Sequence, residues 1–102
     1  TRGKSFDTFC PIGPHIETEL EVSDIEVQCR VNGEIRQTGR TSQMVFSVEF
    51  LVRYISRQMT LVPGDLIATG TPAGVSKLEP GDVCEVVIEG IGTLSNPVEA
   101  KD

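Results

Sequence analysis

The chain has 102 residues and a formal net charge of −6 at pH 7. This length fits one domain that buries roughly 60–70% of its unfolded surface, and the acidic charge argues against a nucleic-acid partner, because phosphates call for a basic protein face. No apolar run approaches the ~20 residues of a membrane span and no charged-then-apolar signal segment opens the chain, so we expect no membrane partner.

The first third of the chain predicts extended segments. Residues 4–9 predict a short strand or extended entry, and the PIGP run at 11–14 a rigid loop. Polar and apolar side chains alternate from His15 to Val22, which predicts an extended segment with one solvated face. The alternation is cleaner over residues 25–31 and predicts a strand there.

A hairpin and a helix are predicted next. Asn32-Gly33 is the strongest short-range hairpin signal, with a return strand over 35–38 that Gly39 closes. Ser47 can cap a helix through its side-chain oxygen. An apolar helical face follows, because apolar residues recur at i, i+3, i+4 and i+7: Val48, Leu51, Val52 and Ile55.

The frame L-x-P-G-D followed by an apolar residue occurs twice, at 61–66 and 78–83. Each copy predicts a turn that starts a strand. The first strand would be the short buried run Leu66-Ile67-Ala68, and the second would run over 83–89 before a turn at 90–92 and a last strand at 93–95. Short strands, glycine-rich turns and a single helix indicate a mainly β fold, a barrel-like sheet.

The loop at 69–74, with sequence TGTPAG, follows the first of these strands. Two hydroxyls interleaved with glycines are typical of a ligand-binding loop, because glycine lets a substrate approach the backbone amides closely. A plain exit from strand to loop explains the same residues and stays open as the alternative.

The three cysteines, Cys10, Cys29 and Cys84, are widely spaced and form no C-x-x-C pair. This pattern argues against a disulfide framework and predicts a reducing, cytoplasmic location. Cys29 and Cys84 lie in apolar-leaning strand segments, which predicts small buried hydrophobic side chains. We expect no Cys–His nucleophile, because His15 is the only histidine.

Four blocks of sequence resemble the fumarylacetoacetate hydrolase family. They are GKSFDTF at 3–9, VNGEIRQ at 31–37, LVPGDLIATGTPAGV at 61–75 and IEGIG at 88–92, in the family's order and spacing. The resemblance implies that residues 1–102 are a single partial domain, the C-terminal portion of the catalytic domain, with a β-rich roll as its fold.

The resemblance also implies an activity. The family's enzymes act on small oxo-acids and diketo acids by hydrolysing carbon–carbon bonds, by decarboxylation or by isomerisation, often in aromatic catabolism. They use a divalent metal, Mg²⁺, Mn²⁺ or Ca²⁺, whose main carboxylate ligands precede the GKSFDTF block and so lie outside this chain. The implied partners are a small oxo-acid substrate, the upstream portion of the same enzyme and a second copy in a homodimer.

Carried over residue by residue, the resemblance assigns roles to four positions. Lys4 becomes a catalytic residue of the active site, and Thr71 and Gly70 hold the substrate's carboxylate end. Thr8 lies near the metal and shares a face with Lys4 if this segment is extended, because their offset is even.

Other polar residues have simpler explanations. Glu17, Glu19 and His15 could suggest a metal site, but an acidic solvated strand face explains them as well. Four polar residues around the hairpin are interpreted as surface or subunit-contact residues: Arg36, Gln37, Arg40 and Gln43.

Two rival hypotheses remain beside the enzyme. The chain could be a non-catalytic scaffold or partner half that lacks the metal ligands, or a small independent barrel that binds acyl or carboxylate groups. If it is the C-terminal part of an enzyme, we expect residues 1–102 alone to be inactive.

Overall fold

A computed structural model describes residues 7–100 as a four-stranded antiparallel sheet with one α-helix. The strand order is β2-β1-β3-β4, so β2 and β4 form the two edges. The elements are β1 (Glu26–Val31), β2 (Glu34–Arg40), α1 (Val48–Gln58), β3 (Val83–Ile88) and β4 (Gly92–Pro97), with a short 3₁₀ turn at Thr41–Gln43. The prediction of a mainly β fold with one helix is confirmed.

The hairpin predicted at Asn32-Gly33 joins β1 to β2. Asn32 has φ 53° and Gly33 has φ 83°, as a two-residue turn needs if its twist is to match that of the strands. The register slips by one residue farther along, because Cys29 faces Gln37 whereas Arg30 faces Ile35. Arg36 is therefore the extra residue of a β-bulge in the edge strand β2.

The side chain of Asn32 ties this turn to the start of β3. Its Oδ1 accepts a hydrogen bond from the backbone N–H of Val83 at 2.9 Å, and its Nδ2 donates to Oδ1 of Asp82 at 2.9 Å. Hydrogen bonds from the Glu79 backbone N–H and from Asn32 lower the pKa of Asp82. The residue that shapes the turn therefore also joins the hairpin to the second half of the sheet.

The helix α1 begins where its sequence predicts. Ser47 Oγ accepts a hydrogen bond from the backbone N–H of Phe50 at 3.1 Å, which satisfies one of the free donors of the first turn. Val48, Leu51 and Ile55 are half-buried, whereas Val52 remains exposed. No helix within residues 7–100 is long and apolar enough to cross a membrane.

The two L-x-P-G-D copies form matching turns. Asp65 Oδ2 accepts from the Val62 N–H at 2.9 Å, and Asp82 Oδ2 accepts from the Glu79 N–H at 2.8 Å. The second turn leads into β3, and residues 89–91 then turn the chain into β4. Both turn predictions are confirmed, as is the strand after the second turn.

Three predicted extended segments are not strands. The described end of the 4–9 segment is a turn, with Thr8 at φ 67°. Residues 15–22 have no regular secondary structure, and neither does the run at 66–68, where Leu66 is 65% exposed. A strand exists only if a neighbour takes up its backbone hydrogen bonds, and within residues 7–100 these segments pair with no strand of the sheet.

The core of the sheet is small. Val31, 2% exposed, is the one fully buried hydrophobic residue in the described part of the chain. Cys29 and Cys84 lie on adjacent strands as free thiols, half-buried, with their sulfur atoms 3.8 Å apart. Burial, followed by the hydrogen bond with Cys29, raises the pKa of the Cys84 thiol. Both cysteines therefore behave as the small hydrophobic side chains that the sequence predicts, although neither is fully buried.

Candidate substrate-binding cavity

The loop that carries the TGTPAG sequence lies along the edge strand β2. Nε2 of Gln37 donates hydrogen bonds to Thr71 Oγ1 at 2.6 Å and to the Pro72 carbonyl oxygen at 2.8 Å. Farther along, a guanidinium nitrogen of Arg36 donates to Ser76 Oγ and to the Lys77 carbonyl oxygen, both at 3.0 Å. Two neighbouring side chains of one strand therefore hold the segment from Thr71 to Lys77 beside β2 and cover this edge of the sheet.

Gly74 lets the loop come this close. Its φ is 106°, and a Cβ atom built there would overlap the carbonyl oxygen of Arg36. A backbone carbonyl cannot swing aside as a flexible side chain can, so any larger residue would push the loop off β2. The bulged residue Arg36 and Gly74 thus lie against each other where the loop meets β2.

A cavity of about 460 Å³ opens between this loop and the end of β2. The loop contributes Thr69, Gly70 and Thr71, and the opposite wall includes Phe46 and Leu51. A Cβ at Gly70 would meet nothing within 4 Å, so the backbone there borders open space. Two hydroxyls and an unhindered backbone on one wall, with apolar side chains on the other, form a cavity suited to a small molecule with a polar end.

Arg40, at the end of β2, lines the same cavity and is held by acidic neighbours. Its Nε donates to Asp24 Oδ1 at 2.8 Å, and its NH2 nitrogen lies 3.6 Å from Glu89 Oε2. Hydrogen bonds from Arg40 and then from Ser42 lower the pKa of Asp24, while the Asp24 carboxylate raises the pKa of Arg40. The guanidinium is therefore engaged in positioning the strand end and is not an unpaired cation.

The predicted site residues are placed as follows. Thr71 and Gly70 lie next to each other in the cavity wall, together with Thr69. Lys4 lies outside the described residues, so its position relative to Thr71 stays a prediction. Thr8 occupies a turn with positive φ, which contradicts the extended geometry expected for it. Its proximity to a metal stays a prediction.

The acidic residues of the described chain do not form a metal site. Residues 7–100 contain no group of three or more His, Cys, Asp or Glu side chains that could hold a metal ion. Glu17 uses a carboxylate oxygen to accept from the Glu19 backbone N–H at 3.2 Å, and both residues are exposed. The donors that a hard divalent cation requires, several oxygen atoms around one point, are therefore not assembled by this part of the chain.

The sequence gives no sign of the contact that Gln37 makes with the loop. Interpreted from the sequence as a surface or subunit-contact residue, Gln37 also donates hydrogen bonds to Thr71 and Pro72 of the cavity loop. Arg36, Arg40 and Gln43 also make contacts within the chain. The Asn32-Gly33 turn could have placed Gln37 on the return strand, but nothing in the sequence reveals which loop lies beside that strand.

Comparison with known proteins identifies the class. The model of the fumarylacetoacetate (FAA) hydrolase C-terminal domain matches residues 1–99. The chain belongs to the fumarylacetoacetate hydrolase family, and its sheet and helix superpose on a portion of that fold.

Solved structures and curated relatives agree with this assignment. The chain superposes on a 5-carboxymethyl-2-hydroxymuconate delta-isomerase from Mycobacterium smegmatis with a TM-score of 0.96 and 51% identity, covering 99% of this chain and 40% of the isomerase chain. It is also similar to a maleylpyruvate hydrolase from Sphingobium sp. SYK-6 in complex with manganese(II) and pyruvate, with a TM-score of 0.91 and 36% identity over 95% of this chain and 38% of the other.

Among curated proteins, an oxaloacetate tautomerase from Bacillus subtilis is 47% identical over 106 aligned residues, which cover 94% of this chain and 34% of the tautomerase. The chain spans less than half the length of the curated relatives it matches, including an uncharacterized protein from Methanocaldococcus jannaschii of which it covers 43%. The relatives therefore include isomerases, hydrolases and tautomerases of small acids, and the chain corresponds to one portion of each.

Proposed function

We propose that this chain is the C-terminal part of an enzyme that acts on small oxo-acids or diketo acids, by carbon–carbon bond hydrolysis, decarboxylation or isomerisation. The observation that carries the proposal is the cavity wall formed by Thr69, Gly70 and Thr71 in a chain of this family. Isomerase, hydrolase and tautomerase relatives support the class of substrate, and the fold does not choose among their reactions.

Thr71 and Gly70 are proposed to hold the substrate's carboxylate. A threonine hydroxyl can donate one hydrogen bond and accept two, and hydrogen bonds to a charged oxygen are about twice as strong as neutral ones. Gly70 adds a backbone amide with open space around it. The apolar wall with Phe46 and Leu51 would contact the carbon chain of the substrate.

The rest of the proposed site includes Lys4, which lies outside the described residues, and Thr8, which lies in a turn. Lys4 is proposed as a catalytic ammonium that stabilises a developing oxyanion, and Thr8 is proposed to lie near the metal. A divalent cation, Mg²⁺, Mn²⁺ or Ca²⁺, belongs to the proposal with its carboxylate ligands in the portion of the protein that this chain does not include. A homodimer in the cytoplasm is proposed as the form in which the complete enzyme works.

The test is turnover by the complete protein. Oxaloacetate and an acylpyruvate are offered with Mg²⁺ or Mn²⁺, and loss of substrate is followed by ultraviolet absorbance before and after EDTA. We expect turnover of at least one substrate, loss of activity with EDTA and recovery when the metal is returned. Thr71→Val should lower kcat/KM about ten- to hundredfold, because it removes a hydrogen bond to a charged group, whereas Thr71→Ser keeps most of the activity. A complete protein that turns over neither substrate would contradict the proposal.

A non-catalytic role is the second candidate, supported by the described residues, among which no group of three or more His, Cys, Asp or Glu side chains could hold a metal ion. It could act as a scaffold or as a partner half that pairs with a separately encoded N-terminal portion. Mixing the purified chain with such a portion separates the two ideas. Restored metal-dependent turnover favours a split enzyme, and a stable but inert complex favours the scaffold.

A further inference from the structure

The amide group of Gln37 makes two hydrogen bonds from one atom. Its Nε2 lies 2.6 Å from the hydroxyl oxygen of Thr71 and 2.8 Å from the carbonyl oxygen of Pro72. Both partners belong to the wall of the cavity. Gln37 itself stands on β2 behind that wall, half-buried, opposite Cys29 in the strand register.

These two contacts determine which atom donates and which accepts in the hydrogen bonds among Gln37, Thr71 and Pro72. The Pro72 carbonyl oxygen can only accept, so the Gln37 atom beside it must be the NH₂ nitrogen and not the amide oxygen. An NH₂ group has two protons and no capacity to accept, so it donates one proton to Pro72 and the other to Thr71. The Thr71 oxygen is therefore an acceptor toward Gln37, and its own proton stays available for another partner.

We propose that Gln37 is a positioning residue that presents the Thr71 hydroxyl to the cavity as a hydrogen-bond donor. A donor at this point selects for a group that only accepts, a carboxylate, and against an amide NH₂ or an ammonium in the same place. This inference rests on the proposed function, which puts the carboxylate end of an oxo-acid at Thr71. It adds the residue that sets the specificity for that end.

Gln37 is held firmly enough for this role. The bulge at Arg36 resets the alternation of side chains along β2 just before Gln37, and bulges commonly re-aim the side chains beside them. Arg36 holds the chain just after this loop, through Ser76 and Lys77. The loop and the residues after it are thus tied at two points to a strand of the sheet, which leaves the Thr71 hydroxyl little freedom to reorient before the ligand arrives.

The experiment compares two ligands of the same shape, pyruvate and its amide, pyruvamide, by calorimetry on the complete protein with Mg²⁺ or Mn²⁺ present. Gln37→Met keeps the length of the side chain and removes both donors. We expect the preference for pyruvate over pyruvamide to fall about tenfold in this variant, since a hydrogen bond to a charged group is no longer prearranged. Thr71→Val should lower the preference as well, and adding Gln37→Met to Thr71→Val should lower it no further.

The double variant separates hydroxyl orientation from general support of the loop. If Gln37 only anchored the loop through Pro72, Gln37→Met would reduce the preference by the same factor with or without the Thr71 hydroxyl, and this result would overturn the inference. An unchanged preference in Gln37→Met would overturn it too. Gln28→Met is the matched control, because Gln28 lies on β1 and bonds the Arg30 side chain, away from the loop, and it should leave the preference intact.

A second variant guards against a folding defect in Gln37→Met. In Gln37→Glu the carboxylate accepts the Thr71 proton, so the preference for pyruvate should fall by at least as much. The proposed reaction and this inference also fail in different ways. A complete protein that prefers pyruvate in the expected pattern but turns over no oxo-acid contradicts the reaction alone. A wild-type protein without any preference for the carboxylate contradicts the inference.

Discussion

Asp24 holds the side chain of Arg40, which lines the cavity. Its Oδ1 accepts from Arg40 Nε at 2.8 Å and from Ser42 Oγ at 2.7 Å. The Arg40 side chain also donates to the Asp24 backbone carbonyl at 3.1 Å. Since both partners favour the charged carboxylate, the pKa of Asp24 in the folded protein lies below its ordinary value of 3.8. The ion pair is exposed, so its contribution to stability is modest and sensitive to salt.

The sign of the pH effect follows from that lowered pKa. A carboxyl whose pKa is lower in the folded than in the unfolded state contributes stability that is fully present above 3.8 and is lost as the pH falls through the lower folded pKa. We therefore expect Asp24→Asn to lower the free energy of unfolding of the complete protein at pH 7, and to differ less from wild type as the pH falls below 3.8 through the lower folded pKa. Denaturant unfolding at several pH values measures this, with the exposed Glu99→Gln as control. A difference that grows on acidification would contradict the assignment.

At the residue scale, the sequence predicts roles that depend on residue type and not those that depend on a distant partner. Asn32, Gly33 and Ser47 do what their types predict, because a turn or a cap needs only a few neighbouring residues. Gln37 bonds Thr71, which lies 34 positions away. Its role depends on which loop lies beside β2. The sequence around Gln37 does not predict that neighbour.

Helices and strands are likewise predicted where their signals are local and missed where they depend on distant parts of the chain. The hairpin, the helix and the strands β1, β3 and β4 are predicted well, because their apolar periodicities and turn residues are local signals. The apolar run at 66–68 and the alternating segment at 15–22 carry comparable signals yet form no strand. Strand formation requires pairing with a neighbouring backbone, and within residues 7–100 these segments pair with no strand. The bulge at Arg36 was not predicted either, because it is a property of the pairing of two strands and of the loop that covers one of them.

The contact between the loop and β2 predicts how substitution of Gly74 affects stability and ligand binding. Gly74→Ala introduces a Cβ that overlaps the Arg36 carbonyl oxygen at a positive φ, whereas Gly64→Ala has a similar φ of 94° with nothing within 4 Å. Gly64→Ala should cost about 1–2 kcal/mol of stability for its backbone conformation alone. Gly74→Ala should cost more, about 3 kcal/mol, and should weaken pyruvate binding about tenfold, because the displaced loop carries Thr71 away from Gln37.

Denaturant unfolding and calorimetry on the complete protein measure both effects. Comparing the two alanine variants removes the backbone penalty that they share, so the remaining difference reports the overlap with Arg36. Equal losses of stability with unchanged pyruvate binding in both variants would mean that the loop does not rest on β2 as described.

On the scale of the whole molecule, the described residues bury little apolar surface. Ile16 is 90% and Val45 is 92% exposed, and only Val31 is fully buried among the described residues. Phe46, just before α1, stacks on Phe50 with ring centroids 4.8 Å apart, and Phe50 stacks on Tyr54 at 6.2 Å. All three rings of this aromatic ridge are exposed. Soluble monomers rarely expose large connected apolar patches, so we expect contacts beyond residues 7–100 to cover these side chains.

This imbalance predicts how residues 1–102 behave alone. Because the exposed apolar side chains would face water, the isolated chain should bind a hydrophobic fluorescent dye strongly, elute as a broad mixture of sizes and unfold without a sharp transition. The complete protein should bind far less dye and unfold cooperatively. Phe50→Ser in the isolated chain should lower dye binding by shortening the aromatic ridge, whereas Ser56→Ala, on the same helix, should not. An isolated chain that is a single species, ignores the dye and melts sharply would show that the small core around Val31 supports the sheet unaided.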